Sequence, residues 1–386
     1  MNHQLGSLDP ENLTPIASLN RLKIVDLPGV DIDLDVRGKT GYELLSTQAL
    51  AELVHMYVSS NASLEGTQNV TSLSPTSLLN QYLDWKDVRV RTAAEIVGEQ
   101  FGRRLGYLLA VLKRGDTINR DAYKNWNDSY WHYWSAIRTI RLAGGLVAGS
   151  LGVLILQNAT TVLHEVGVVD YKLHLAPHPI ILPLIGAARS VPQEYSAALV
   201  FDFGHSLIKR GYPIYRGQIL EGMWLLSSVT ARWMSKTEVG ESADANQTRL
   251  LAEFIALRIA DTWQEIRRQG LPLVRLALVS IACYLQSGQP LAREGDPYAQ
   301  LHTVSNNLSR WLTEKVSSLI GQRIEILLIH DGTAAARAYN ARTRTSVVML
   351  GTALGAGFSP QSRRLRPSIQ QLRISQDFSV AFTPNS

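Results

Sequence analysis

Apolar residues recur along this chain with the two spacings that distinguish helices from buried strands. The clearest helical spacing covers residues 88–113, where apolar side chains recur every three to four residues and Gly115 can end the helix. Predicted strands and helices alternate, which indicates an α/β fold with layered sheets. The other predicted helices are 42–59, 151–166, 180–190, 247–269, 301–320 and 333–339, and the predicted strands are 22–36, 137–143, 172–175, 197–203, 206–215, 274–285, 324–329 and 346–350.

An unusual run of tyrosine and tryptophan follows the long helix. Residues 121–134 contain Tyr123, Trp126, Tyr130, Trp131 and Trp134. Such a run predicts a packed aromatic cluster, and a stacking surface for a base or a sugar is the alternative.

Length and composition are those of a globular protein of enzyme size. The chain has 386 residues, which fits two or three domains or one large two-lobed protein. It is 45% hydrophobic and 18% charged, and Cys283 is its one cysteine, so no intrachain disulfide can form. These features fit a reducing cytoplasm. The start of the chain is polar, and no secretory signal is expected there.

Charge and hydropathy argue against nucleic acid and membrane as partners. The net charge is +5, but the arginines are scattered, without the dense stripe that nucleic-acid binding requires. The longest uncharged apolar stretch, residues 142–156, is too short to span a bilayer.

The first segment that carries chemistry is A-L-V-F-D-F-G-H-S-L-I-K-R, residues 198–210. A strand brings Asp202 to its tip, and Gly204 allows the backbone to turn tightly against a phosphate. Ser206 adds a hydroxyl and a backbone N–H, and Lys209 can meet a terminal phosphate. The alternative is an ordinary hairpin that contains an aspartate.

The second segment is I-L-L-I-H-D-G-T-A-A-A-R-A-Y, residues 326–339. Asp331 ends an apolar strand just before an alanine-rich helix, and ligands bind at such strand ends in open α/β sheets. Asp331 can therefore act as general base for a substrate hydroxyl. The alternative is that Asp331 only caps the helix.

The third segment, residues 347–358, reads V-V-M-L-G-T-A-L-G-A-G-F. Gly351, Thr352 and Gly355 follow a strand and can surround a phosphate with backbone N–H groups. A flexible glycine-rich turn is the alternative. Ala353 fits this loop only if its φ angle is negative.

Together the three segments resemble the phosphate and catalytic segments of the hexokinase, actin and heat-shock ATPase superfamily. They are similar to its D-x-G-x-[ST] turn, to the N-D-[GT]-x-[AG]-[AT] run of hexokinases and repressor–kinase-type sugar kinases, and to the G-T-G-x-G-[AG]-G loop of sugar kinases. His330 stands where that run has asparagine, and Ala353 replaces one glycine of the loop. The resemblance implies that Asp202 positions Mg²⁺ and ATP through water, that Asp331 takes the hydroxyl proton, and that His330 contacts the substrate.

The order of the segments implies a circular permutation, because the first phosphate segment lies near residue 200 rather than near the start. Residues 38–45, G-K-T-G-Y-E-L-L, resemble the hexokinase segment G-[KQ]-Q-x-[FY]-E-K-[LM], and Glu43 matches its sugar-binding glutamate. Gly144 and Gly145 resemble the turn that holds adenosine, and residues 184–188 resemble the helix that closes such chains. A solvated charge on a helix face is the alternative for Glu43.

The resemblance implies a two-lobed actin/hexokinase-like, ribonuclease H-like fold. Residues 1–36 are expected to form an arm and strand region, 37–192 the adenosine lobe, 193–358 the lobe with both phosphate segments and Asp331, and 359–386 a tail. The expected function is that of a hexokinase-like carbohydrate kinase, with ATP and Mg²⁺ as cofactors and a hexose as acceptor.

Two other functions remain open. One is a catalytically idle sensor or scaffold that binds nucleotide or sugar, favoured by the departures at His205, His330 and Ala353. The other is an ATPase without a small acceptor. A homodimer is also left open.

Overall fold

A computed structural model describes residues 8–9, 11–57, 73–231, 245–339, 344–360 and 367–382. Residues 1–7 of the predicted arm and residues 361–366 and 383–386 of the predicted tail lie outside them. The chain forms two compact units. The first lies within Met1–Asp9, Ile16–Ile180 and Thr343–Ala356, and the second within Pro10–Pro15, Ile181–Arg342 and Gly357–Ser386.

The first unit contains a four-stranded sheet flanked by helices. Its strands lie side by side in the order Leu354–Phe358 (β11), Thr345–Leu350 (β10), Thr139–Ala143 (β1) and Lys172–Leu175 (β2). Parallel pairing of β10 with β1 explains why residues 343–356 belong to this unit, although the predicted lobe boundaries grouped them with residues 193–342. Its helices are α1 Gly41–Leu45, α2 Thr47–Tyr57, α3 Pro75–Leu83, α4 Val88–Arg114, α5 Thr117–Ala122, α6 Asp128–Ser135 and α7 Gly149–Glu165, and its strands are β1 Thr139–Ala143, β2 Lys172–Leu175, β10 Thr345–Leu350 and β11 Leu354–Phe358.

The long helix α4 is confirmed and packs closely against α7. Gly115 ends it in the left-handed conformation, with φ 56°. Gly98, Gly102 and Gly106 lie on one face, and a Cβ on any of them would approach α7 atoms within 2.5 to 2.7 Å. These glycines therefore allow the two helix backbones to approach each other.

The predicted strand at 22–36 is wrong. In the described residues this segment is irregular, with one bridge from Lys23 to Thr40, although Leu22, Ile24 and Leu27 are buried. A turn at Gly29, where φ is 83°, breaks the extended run. The pattern thus identified buried side chains but not the backbone conformation.

The helix predicted at 42–59 is interrupted. Ser46 has an extended backbone, and its hydroxyl accepts a hydrogen bond from the N–H of Ala49, so that α1 ends and α2 begins there. The part of the prediction beyond Tyr57 lies outside the described residues.

The aromatic cluster is confirmed. Trp126 stacks on Tyr130 with ring centroids 5.6 Å apart and meets the edges of Tyr123 and Trp131. All four rings are buried, and this packing favours a structural role over a stacking surface for a ligand.

The second unit contains a six-stranded sheet. Its strands lie side by side in the order Arg373–Ser375 (β12), Ile219–Thr230 (β5), Leu207–Arg216 (β4), Leu199–Phe203 (β3), Leu276–Ile281 (β6) and Glu325–His330 (β9). β3 pairs antiparallel with β4 on one side and parallel with β6 on the other, and β6 pairs parallel with β9. Its helices are α8 Leu182–Arg189, α9 Ala245–Arg268, α10 Pro297–Gln300, α11 Leu308–Ile320, α12 Asp331–Arg337 and α13 Phe378–Phe382, and its strands are β3 Leu199–Phe203, β4 Leu207–Arg216, β5 Ile219–Thr230, β6 Leu276–Ile281, β7 Leu285–Gln286, β8 Gln289–Pro290, β9 Glu325–His330 and β12 Arg373–Ser375.

The main strands and helices predicted in the second unit are present, with two shifts in their bounds. The predicted strand 274–285 is shortened to β6, and the predicted helix 301–320 begins as a separate short turn before α11. Buried side chains of β3, β6, α9 and α11 form the core that fixes the strand ends in place.

Candidate functional site

Asp202 lies in the middle of the six-stranded sheet, near the carboxyl end of β3. The strand register places it directly beside Lys209 on β4 and Ser280 on β6. Lys209 Nζ lies 2.7 Å from Asp202 Oδ2, and the Ser280 hydroxyl donates to Oδ1 over 3.2 Å. The Asp202 side chain is only 5% exposed, so these contacts satisfy a buried carboxylate.

The turn after β3 is tight. The N–H of Gly204 donates to the carbonyl of Leu207, and a Cβ on Gly204 would come within 3.1 Å of that oxygen. The Tyr298 hydroxyl donates to the Gly204 carbonyl over 3.1 Å and thereby stabilises the turn. Ser206 is exposed at the tip, where a ligand could reach it.

Asp331 is the first residue of α12, immediately after β9. His330, and not Asp331, caps this helix, because its Nδ1 accepts a hydrogen bond from the N–H of Thr333. The alternative in which Asp331 serves only as the cap is therefore wrong. Asp331 Oδ1 accepts from the N–H of Gly332 over 2.6 Å, and the side chain is 19% exposed.

The Asp331 carboxyl titrates near neutral pH. Burial and the negative charge of Asp202 raise its pKa to about 7. Asp331 and Asp202 are thus close enough to influence each other across the ends of β3 and β9. A carboxyl with a pKa near the working pH can both take and return a proton, as general base catalysis requires.

His330 is buried, and its Nδ1 is engaged by the protein. Nδ1 lies 3.2 Å from the Thr333 nitrogen, and Nε2 lies 3.2 Å from Asp331 Oδ1. The substrate contact predicted for His330 stays a prediction.

In the first unit, two glycine segments meet at the carboxyl ends of β1 and β10. Gly144 has φ 98°, and a Cβ on it would lie 2.1 Å from the carbonyl oxygen of Leu350, the residue before Gly351. Only glycine fits this position. The sheet therefore brings the turn 144–145 and the loop 351–355 together at one edge, where ligands bind in parallel sheets.

At two of these positions, packing within the chain does not explain why the residue is glycine. A Cβ on Gly145 would meet no atom within 4 Å, and on Gly351 the nearest atom would be 3.9 Å away. Neither has a positive φ angle. The open space at their Cα atoms is what a closely bound phosphate or nucleoside would use.

The rest of this loop has an ordinary backbone. Ala353 is not among the described non-glycine residues with positive φ, so the condition for alanine at this position is met. Thr352 is exposed, and a Cβ on Gly355 would approach the side chain of Met349 within 3.3 Å. The Gly351 carbonyl accepts from the N–H of Thr47, which fixes the start of the loop.

Glu43 has a structural role in the first unit. Its carboxylate accepts from the backbone N–H and the hydroxyl of Thr40, and Thr40 caps α1 in return. These hydrogen bonds from Thr40 lower the pKa of Glu43. Capping accounts for a glutamate at this position, and the sugar contact stays a prediction.

Asp202 has the chemistry that Mg²⁺ requires. Magnesium is usually held by one or two carboxylates together with water and substrate phosphates. The Asp202 carboxylate is a ligand of this kind, and the Lys209 ammonium lies 2.7 Å from one of its oxygens. Within the described ranges, no group of three histidine, cysteine, aspartate or glutamate side chains could hold a metal by itself.

Two polar contacts of this site were not predicted from the sequence, that of Ser280 with Asp202 and that of Tyr298 with Gly204. Ser280 interrupts a strand that is otherwise apolar and fully buried, and that break in the pattern was the available signal. Tyr298 follows Asp296 and Pro297 in a short helix whose start is capped by Asp296. Nothing in its local sequence links it to Gly204, so only the fold could bring them together.

No protein-family model matches the sequence, and no curated protein matches it. The ethanolamine utilization protein EutJ from Carboxydothermus hydrogenoformans is similar at 14% identity, over 47% of this chain and 60% of that chain, with a TM-score of 0.25. This chain thus spans less than two thirds of EutJ.

A second similar structure is the type II variant of the Aquifex aeolicus Ppx/GppA phosphatase. It is 10% identical over 61% of this chain and 82% of that chain, with a TM-score of 0.31. Both TM-scores lie below 0.5.

In the described part of the chain, no helix has the length and apolar character of a membrane span.

Proposed function

We propose that this protein transfers the γ-phosphoryl group of ATP to a hydroxyl of a small molecule. The observation that carries the proposal is Asp331, a largely buried carboxyl at the end of β9, whose pKa burial and the charge of Asp202 raise to about 7. A base of this pKa can accept the hydroxyl proton while the phosphoryl group is transferred.

The other residues have roles that follow from their positions. The tight turn at Gly204 presents Ser206 at its tip, and we expect the Ser206 hydroxyl and the backbone of the loop with Gly351, Thr352 and Gly355 to bind phosphates. Lys209, held beside Asp202, supplies positive charge for a terminal phosphate. Mg²⁺, held by Asp202 through water, would neutralise charge on the β- and γ-phosphates.

The acceptor in this proposal is a hexose. The support is the resemblance of the segments around Asp331 and Glu43 to those of hexokinases and repressor–kinase-type sugar kinases. Glu43 would bind a sugar hydroxyl, and Gly144 and Gly145 would pack under adenosine.

We also propose that the chain is a circularly permuted member of the hexokinase, actin and heat-shock ATPase superfamily. In the six-stranded sheet, β3 and β4 are joined by a tight turn, and the parallel strands β6 and β9 on the other side of β3 follow later in the chain. In the four-stranded sheet, β10 and β11 are joined in the same way, but the parallel strands β1 and β2 come earlier. If the residues before the link 191–196 were moved to the end of the chain, the corresponding strands of the two sheets would follow one another in the same order along the chain.

This permutation has a direct test. A variant that begins within the link 191–196, with the present ends joined by a flexible linker, should fold and keep ATP binding, because permutation preserves the contacts of each unit. Circular dichroism and calorimetric titration with ATP measure both. A variant cut instead inside β6 is the matched control and should not fold. If the variant cut at the link also fails to fold with linkers of several lengths, the proposed permutation is wrong.

A second function is favoured by one observation. Both oxygens of Asp202 are already engaged, by Lys209 and by Ser280, which suits a protein that binds nucleotide without turning it over. Such a sensor would bind ATP and a sugar but release no ADP. An ATPase would release ADP at the same rate with and without the sugar.

Glycine substitutions test the nucleotide part of the proposal. Gly351→Ala and Gly145→Ala should weaken ATP binding by about 10-fold or more, because each Cβ would fill space that the ligand needs. Calorimetric titration gives the dissociation constants.

Stability is the control in this experiment. Alanine fits at both positions in the free protein, so thermal unfolding should be unchanged or slightly raised. Unchanged ATP affinity in both variants would show that these glycines do not line the nucleotide site.

The proposed activity is tested by titration with ATP and Mg²⁺ against a panel of hexoses, followed by measurement of ADP release. ADP release that requires one of the hexoses supports the kinase. ATP binding without hexose-dependent ADP release would overturn it in favour of the sensor or the ATPase.

A further inference from the structure

A cavity of about 360 Å³ lies in the first unit, at the amino ends of its parallel strands. It is surrounded by the last residues of α4 and α6 and by the segments just before β1, β2 and β10. Its lining is strongly charged and consists of Lys113, Ser135, Ala136, Arg138, Asp170 and Arg344. A concave site of this volume can hold a small molecule.

The charges of Lys113 and Asp170 balance each other. Lys113 Nζ lies 2.8 Å from Asp170 Oδ2. The same ammonium donates to the carbonyls of Ser135 and Ile137 over 2.7 and 2.9 Å, and it lies 4.7 Å from the centre of the Tyr171 ring. These contacts hold the Lys113 side chain against the protein, so its charge is already used in the cavity wall.

Arg138 and Arg344 carry the remaining charge of the cavity. Within the described ranges, no carboxylate forms an ion pair with either guanidinium group. Both side chains are exposed, so a ligand in the cavity can reach them. The cavity therefore has two positive charges that its own lining does not balance, and it favours an anionic ligand.

The backbone places the two arginines side by side. They immediately precede Thr139 and Thr345, which are paired in the parallel register of β1 and β10. The N–H of Arg138 donates to the Arg344 carbonyl over 3.0 Å. Neighbouring strands lie about 4.8 Å apart, which allows two arginine side chains to meet one small anion. The Arg344 guanidinium also lies 5.8 Å from the centre of the Tyr133 ring, and this contact limits its movement.

We propose that Arg138 and Arg344 bind the phosphate group of a small organic phosphate monoester in this cavity. Such a group carries close to two negative charges at neutral pH and has three acceptor oxygens, which suits two guanidinium groups. A carboxylate has one charge, and a single arginine can bind both of its oxygens. The cavity also has room for the organic part of the ester. A nucleic acid would need a longer row of cations than these two.

The site is separate from the proposed nucleotide site of the same sheet. Gly144 and Gly351 follow the carboxyl ends of β1 and β10. Arg138 and Arg344 precede the amino ends of the same two strands. At about 3.3 Å per residue, the strands keep the two positions roughly 20 Å apart. An ester bound by the arginines therefore does not occupy the space at the glycines.

Calorimetric titration with glycerol 3-phosphate tests this site. The wild-type protein should bind the ester, and Arg138→Gln and Arg344→Gln should each weaken binding by about 10-fold or more, because each removes charge-assisted hydrogen bonds to the phosphate. Both side chains are exposed, so thermal unfolding without ligand should be unchanged.

The matched control changes net charge without touching the cavity. Arg21 and Arg275 are exposed and do not line it. A variant with both Arg21→Gln and Arg275→Gln should therefore bind glycerol 3-phosphate as the wild-type protein does. A variant with both Arg138→Gln and Arg344→Gln has the same net charge and should lose binding. Equal binding by these two double variants, or no binding by the wild-type protein, would overturn the proposal.

Two further titrations identify the ligand and the place where it binds. Inorganic phosphate should bind more weakly than glycerol 3-phosphate, and equal affinity would show a site for the free ion, which contradicts the proposed monoester. Gly351→Ala should leave the affinity for glycerol 3-phosphate unchanged. If Gly351→Ala weakens it and the arginine variants do not, the ester binds at the glycine loop and the inference is wrong. The inference does not depend on phosphoryl transfer, because none of these titrations measures turnover.

Discussion

Asp331→Asn should reduce phosphoryl transfer by about 10²- to 10⁴-fold while ATP binding is retained, because the amide has nearly the same shape but cannot take a proton. The rate of the wild-type protein should fall at pH values below about 7, where burial and the charge of Asp202 keep the Asp331 carboxyl protonated. The rates of the wild-type protein and of Asp331→Asn at saturating acceptor, measured between pH 5 and pH 9, test both statements. This range extends about two pH units to each side of the pKa of about 7.

Stability provides a control for this variant. The native protein keeps a proton on Asp331 between the usual pKa of 3.8 and about 7, whereas the unfolded chain has lost it. Wild-type stability should therefore fall as the pH rises through this window, and Asp331→Asn should remove that fall. Asp261→Asn, at an exposed position of α9, is the matched control and should leave rate and pH profile unchanged. Full activity of Asp331→Asn would show that another group is the base.

Asp202→Asn should lower the rate by about 10²-fold and move the pH dependence at the same time. It removes the carboxylate expected to hold Mg²⁺ through water, so saturation should require more Mg²⁺. It also removes a negative charge that raises the pKa of Asp331, and it leaves the Lys209 ammonium, which lowers that pKa, without its partner. The acid limb of the rate profile, where the rate falls as the pH is lowered, should therefore lie below pH 7.

The direction of that shift distinguishes Asp202 from a purely structural residue. Rates of Asp202→Asn measured against pH and against Mg²⁺ concentration give the two effects separately. Asp116→Asn removes a carboxylate that is paired with Arg114 in the first unit and should change neither. A lower rate with an unchanged acid limb would mean that Asp202 does not act on Asp331.

The sequence predicted those parts of the site that depend on local pattern. Apolar runs that end in Asp202 and Asp331 read as strands, and the structure places both residues at strand ends because buried strands need apolar side chains until they reach the edge of the sheet. The glycine at 144 was predicted from a motif, and its φ of 98° gives the reason for it.

Features that depend on strand register could not be predicted. Lys209 and Ser280 flank Asp202 only because of how β3, β4 and β6 are aligned, and no local signal sets that alignment. The same holds for β10, whose pairing with β1 depends on residues far apart in the chain. The role of Glu43 was read from a resemblance, whereas its contact with Thr40 follows the capping-box pattern.

In the proposed reaction, Asp331 activates a hydroxyl that receives the phosphoryl group of ATP. The most direct measurement follows the fate of a radiolabelled γ-phosphoryl group in the presence of Mg²⁺ and a hexose panel, for the wild-type protein and for Asp331→Asn. We expect the label to appear on one of the hexoses with the wild-type protein and not with Asp331→Asn. Label that remains on ATP, or appears only as inorganic phosphate, would show that Asp331 does not activate a hexose hydroxyl.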